Sequence, residues 1–204
     1  MVTSKLIGKD KNISLQTEYL KQILLMNEKI VYMLDKLQKL NLKNYYIGAG
    51  RINQTVWNCL FGLPLDYGID DVDIVYFDSD LSEEKEKKLE TEIRKLFSEL
   101  ESKIDVTNEA RVHLWYKDKF GFDIPPYIST EDAINTWPTT ATAIGVRKHK
   151  EELIVYAPFG LNDLFSLIIR ANKTQINEEI YDNKCEKWTK KWTGLKVVPW
   201  HEKQ

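Results

Sequence analysis

The chain has no charge excess: 29 Lys and Arg against 31 Asp and Glu leave a formal net charge of −2. No global basic field would draw it to nucleic acid, so extended DNA binding is not expected. It has no apolar run approaching the eighteen or so residues a membrane span requires, and Met1 to Lys5 lacks the apolar core of a signal peptide. It has only two cysteines, Cys59 and Cys185, with no metal-ligand spacing, which suits a reduced cytoplasm. No internal repeat or low-complexity linker divides its 204 residues, so the expectation is one domain over 1–204. Hydrophobic content of 43% and charged content of 29% are those of an ordinary globular protein with a substantial core.

The informative stretch is Asp70-Asp71-Val72-Asp73-Ile74-Val75-Tyr76-Phe77. On a strand, residues i and i+2 share a face, so Asp71 and Asp73 project together, about 7 Å apart. Like charges this close raise each other's pKa, and a hard divalent cation would relieve the repulsion. The alternative is two surface aspartates at a strand entrance. The apolar run follows the pair rather than preceding it, which argues against phosphatases that place D-x-D at a strand's carboxyl end. A calcium loop counted from Asp71 would need Gly at Tyr76 and Glu at Ser82.

Upstream, apolar residues at three and four predict a helix over 14–40, capped by Ser14 and stopped at Asn41. The core over 44–170 begins with the short strand Asn44 to Ile47. Gly48-Ala49-Gly50 then opens a helix over Arg51 to Leu60. A strand, a small-residue turn and a helix N-terminus can cradle phosphate through free N–H groups, with Arg51 and Asn53 near that end. Most such turns are only turns.

Downstream the pattern predicts a helix over 82–100 and a short strand around Ile104-Asp105-Val106, a place for a third inward carboxylate. Arg111 to Tyr116 alternates as a strand would. A helix is expected after Ser129 or Thr130, then an irregular hydroxyl-rich stretch 137–143. A hairpin of 144–147 with 153–156 follows, then a buried helix over 161–170. A Trp-bearing amphipathic helix over 175–192 ends the chain, to pack on the domain or to bind a partner.

Gly48-Ala49-Gly50, Asp71-x-Asp73 and Asp105 between apolar residues together resemble the polymerase β-like nucleotidyltransferase superfamily. Val56-Trp57-Asn58, Gly68 to Asp73, Asn108-x-Ala110-Arg111-Val112-His113, Pro138 to Ala143, Tyr156 to Leu164 and Pro199-Trp200 are similar to a small bacterial nucleotidyltransferase family. The likeness runs from about residue 20 onward. It departs from the superfamily pattern in two ways: Ala49 stands where a serine is frequent, and twenty residues separate Gly50 from Asp71.

The resemblance implies an α/β (α+β) fold, a mixed β-sheet with flanking helices plus N- and C-terminal helices. It implies transfer of a nucleoside monophosphate from an NTP to a hydroxyl acceptor with release of pyrophosphate. The acceptor could be a small molecule, a protein or an RNA end. Asp71, Asp73 and Asp105 would be catalytic and hold two Mg²⁺ or Mn²⁺ ions. Gly48, Ala49, Gly50, Arg51 and Asn53 would bind nucleotide. Asp70, Arg111, His113, Thr139, Thr140, Arg147 and Lys148 are candidate substrate contacts, any of the basic ones alternatively serving in a structural ion pair. A catalytically silent nucleotide-binding or regulatory module on the same fold is the competing expectation.

Overall fold

The shortest of the main strands is the centre of the sheet. In the computed structural model, which describes residues 7–202 except 41 and 43, β1 (Tyr46–Gly48) pairs antiparallel with both β2 (Asp71–Tyr76) and β4 (Gly145–His149). On one side β2 pairs parallel with β3 (Lys103–Asn108); on the other β4 forms a hairpin with β5 (Glu152–Tyr156). The order is β3-β2-β1-β4-β5, a mixed five-stranded sheet.

Alternation gives this sheet two different faces. Val72, Ile74, Ile104, Val106, Ile47 and Val146 point into the main core. There they meet α1 (Ile13–Leu25), α2 (Glu28–Lys39), α3 (Ala49–Phe61) and α4 (Glu83–Leu96) through Leu24, Leu34, Val56 and Ile93. The opposite face carries Asp71, Asp73 and Val75 on β2, with Asp105 and Thr107 beside them on β3. It is covered only in part, by α5 (Val112–Phe120) and α6 (Thr130–Ile134). A period of two thus puts the apolar set in the core and the carboxylates on the other side.

α8 (Glu178–Lys191) closes the domain. Trp188 and Trp192 pack on the fully buried Trp57 with ring centroids 5.7 and 5.5 Å away. The Trp192 indole donates to Asn58 Oδ1 at 2.7 Å, so the packing alternative for this helix holds. Between β5 and α8 lie α7 (Asn162–Phe165) and β6 (Ile168–Ile169), the latter paired with β7 (Lys196–Val197). Among the described residues no helix is long and apolar enough to cross a membrane.

Four expectations are corrected. The helix over 14–40 is two helices, because Asn27 breaks it and accepts from the Lys29 and Ile30 N–H groups as cap of the second. Asn12, not Ser14, caps the first; the expected stop, Asn41, lies outside the described residues. The alternating segment 111–116 is helical, since Asn108 caps the turn before it and Val112 and Tyr116, four apart, bury on one side. The helix over 161–170 ends at Phe165, because Leu167 takes a left-handed φ of 58° and turns the chain into β6.

Candidate active site

The site is built where β1 hands over to α3. Gly48 lies opposite Asp73 in the β1–β2 register. A Cβ on Gly48 would fall 2.2 Å from the Trp137 ring, so the glycine is what lets that indole lie on the strand. The left-handed residue in the turn is Ala49, at φ 37°, rather than either glycine. Such backbone strain costs on the order of 1 kcal/mol and is characteristic of functional turns. Among the described residues no side chain caps the α3 N-terminus; the Ala49 N–H donates to the Ile144 carbonyl at 3.1 Å, which leaves the Gly50 and Arg51 amides of the first turn to meet an anion. A Cβ on Gly50 would sit 3.6 Å from Asp71 Oδ1, which fixes how close this helix end is to the carboxylate pair.

Both meet in a pocket of about 520 Å³. Asp71, Asp73 and Glu109 supply its acidic groups with Thr107 beside them, and Ala49, Gly50 and Gln54 the helix end. Trp115, Tyr116, Phe120 and Trp137 give it an aromatic lining, and Lys184, Lys187 and Trp188 line it from α8. Burial, then repulsion from Asp71 and Asp105, pushes the Asp73 carboxyl up to about 6. Glu109 is 5% exposed. Burial, with Asp73 and Glu86 nearby, pushes it up to about 8. The Lys184 ammonium is held below the ordinary lysine range by burial, opposed by the attraction of Asp73.

Of the predicted residues, Gly50, Ala49, Asp71 and Asp73 come together here. Asp105 shares their face, but its carboxylate pairs with Lys103 Nζ at 2.7 Å and Arg94 at 3.4 Å. Among the described residues no three acidic, His or Cys side chains form a ready metal cage.

Arg51 corrects an expectation. It is 1% exposed, and its guanidinium donates to Asp66 at 2.6 Å and to Asn27 at 3.3 Å. Held by those partners, it does not line the pocket with Gly50 and Gln54. Asn53 is fully buried and does not line the pocket. Asp70 pairs with Lys191, Arg111 with Glu86, and Lys148 with Asp35. Arg147 stacks over the Tyr46 ring. Thr139 bonds Thr142, and Thr140 bonds Asp163. His113 lies half-buried on α5, outside the pocket. These are structural placements.

Sequence reasoning missed Gln54, Thr107, Glu109, Lys119, Lys184 and Lys187. Thr107 was legible, two residues after Asp105 on the same strand face. Lys184, Lys187 and Trp188 stand at i, i+3 and i+4, a one-sided pattern that could have been noticed. Glu109 carried no signal, because its place depends on the turn after β3.

A family model described as nucleotidyltransferase matches residues 35–197. An NMR structure described as revealing a CCA-adding enzyme head domain superposes with a TM-score of 0.76 at 23% identity, over 96% of this chain and 100% of that one. At that identity the likeness is one of fold. Comparison with curated proteins gives no match. With the family match spanning most of the chain, and a fold to agree with it, the protein belongs to the nucleotidyltransferase family.

Proposed function

We propose that the protein is a metal-dependent nucleotidyltransferase, moving a nucleoside monophosphate from an NTP to a hydroxyl acceptor and releasing pyrophosphate. One observation carries this reading: the paired carboxylates of β2 and the uncapped N-terminus of α3 open into one pocket, within ångströms of each other. Anionic phosphate and cation-seeking carboxylates are wanted side by side in phosphoryl-type transfer.

The donor set fits a hard divalent cation such as Mg²⁺ or Mn²⁺. Asp71 and Asp73 share a face, and the Asp73 carboxyl is raised in part by its neighbours' charge, a repulsion a cation would cancel. Asp71 and Asp73 would hold two ions, and Asp105 would join by releasing Lys103 and Arg94. Bound there, the ions would lower the acceptor hydroxyl's pKa and stabilise charge on the attacking and leaving oxygens. The chain's own residues do the rest. The Gly50 and Arg51 amides at the start of α3 receive the departing pyrophosphate's charge. The aromatic wall excludes water and offers ring faces to a base. Gln54 and Thr107 supply polar groups that orient what enters.

The ion pairs of Asp105 favour a second reading, a silent nucleotide-binding module in which that carboxylate never turns inward. The test is incubation of the purified protein with labelled NTPs, Mg²⁺ or Mn²⁺ and a cell extract. Transfer of label by wild type and not by folded Asp73→Asn is expected. Equal transfer by both overturns the assignment, and NTP binding without transfer in any extract supports the silent module.

A further inference from the structure

The pocket has a cationic wall that the nucleotidyl-transfer reading did not call for. Lys184 and Lys187 reach it from α8 and Lys119 from α5. Among the described residues none of the three forms an ion pair with a carboxylate. Lys119 Nζ lies 5.3 Å from the Trp115 ring centre, and Lys184 Nζ lies 5.6 Å from that of Trp188. Aromatic faces thus hold these ammonium groups in place without neutralising them.

The contrast with the other basic residues is informative. Arg51, Arg111 and Lys148 are each spent on a carboxylate, and Arg147 is stacked away from the pocket. The cations that could meet a bound anion are therefore the pocket lysines. Lys184 is half-buried; Asp73 and Asp71 attract its charge without an ion pair, while Lys187 and Lys119 repel it. Keeping a lysine there costs stability unless something negative pairs with it.

Resting on the nucleotide reading above, we propose that Lys119, Lys184 and Lys187 form the polyphosphate subsite, gripping an NTP's phosphate tail against the N-terminus of α3. The ligand class is a nucleoside triphosphate or an inorganic polyphosphate, not an extended nucleic acid. The three lysines line a single concavity of about 520 Å³, and the chain's net charge is −2. A duplex backbone would require a stripe of cations along the surface. The subsite also answers a gap in the turn: Ala49 offers phosphate no hydroxyl, and lysines lining the same pocket would supply contacts in its place.

The experiment is a set of binding titrations on the full chain, read by tryptophan fluorescence because Trp188 and Trp115 adjoin the lysines, with calorimetry as a second readout. The probes are ATP, GTP, CTP and UTP, the corresponding nucleosides, and inorganic tripolyphosphate. The variants are Lys184→Gln/Lys187→Gln together, Lys119→Gln alone, and Lys148→Gln as a control outside the pocket. The double variant should lose about tenfold or more in affinity for the NTP and for tripolyphosphate while keeping its nucleoside affinity. Lys119→Gln should lose a few-fold, and it carries the test by itself if the double variant fails to fold. Lys148→Gln should bind as wild type. Wild-type NTP affinity in the folded lysine variants overturns the subsite and leaves the nucleotide reading standing. No NTP binding by the wild-type protein overturns both.

Discussion

Asp73 and Asp105 face each other directly across the parallel β2–β3 pair, yet only Asp73 opens into the pocket. Asp105 is held aside by Lys103 and Arg94. Exposed pairs of this kind are worth about 0–1 kcal/mol, while Asp105 adds to the charge that raises Asp73. In chelator, Asp105→Asn should therefore melt no lower than wild type. Excess Mn²⁺ should raise the wild-type melting temperature by mass action, since the unfolded chain has no assembled site. It should raise that of the variant less. Identical metal-induced shifts in the two proteins would remove Asp105 from the ligand set.

Glu109 makes stability depend on pH. Its folded pKa is about 8, against about 4.3 for an unperturbed Glu. Between those values the folded state keeps a proton that the unfolded chain gives up. The contribution is fully present below pH 4 and is lost as pH rises toward 8. Its slope is at most about 1.4 kcal/mol per pH unit. Asp73, raised to about 6, acts with the same sign at the acid end of that window. Urea melts at pH 5, 6.5 and 8 in chelator should show Glu109→Gln losing less stability than wild type on going to pH 8. Parallel pH profiles would mean that the carboxyl is not enclosed.

The two glycines of the turn should respond differently to alanine. Gly48→Ala drives a methyl into the Trp137 ring and should cost about 1–3 kcal/mol by overpacking. Gly50 has no positive φ, and the nearest atom to its added Cβ would be the flexible Gln54 amide at 3.1 Å. Gly50→Ala should melt close to wild type and bind NTP more weakly, because the methyl faces the phosphate end of the pocket. A destabilised Gly50→Ala protein with unchanged NTP affinity would reverse that assignment.

Arg51→Ala isolates structure from binding. Removing the guanidinium leaves a cavity and frees Asp66 and Asn27 from a buried partner. The expected cost is about 2–4 kcal/mol, moderated by the partial exposure of Asp66. NTP affinity below the melting transition should be unchanged. A selective loss of affinity without loss of stability would place Arg51 at the phosphates after all.

What the sequence by itself determined were the features that follow from local spacing. Asp71 and Asp73 share a face because strand side chains alternate, and Val72 and Ile74 between them seal the other face into the core. The turn at Gly48 to Gly50, the strand at Asp105 and the hairpin of β4 and β5 were legible for the same reason. Where only packing decides, spacing misled: Arg111 to Tyr116 alternates but winds into α5, because Val112 and Tyr116 find Tyr127 and Ala133 one helical turn apart. The tertiary structure alone decided which charges are free. Arg51, Arg111 and Lys148 meet carboxylates from other elements, whereas among the described residues Lys119, Lys184 and Lys187 line the pocket with no carboxylate paired to them. A residue's type is written in the chain, but its pairing depends on which elements are brought within 4 Å, and that is a property of the assembled fold.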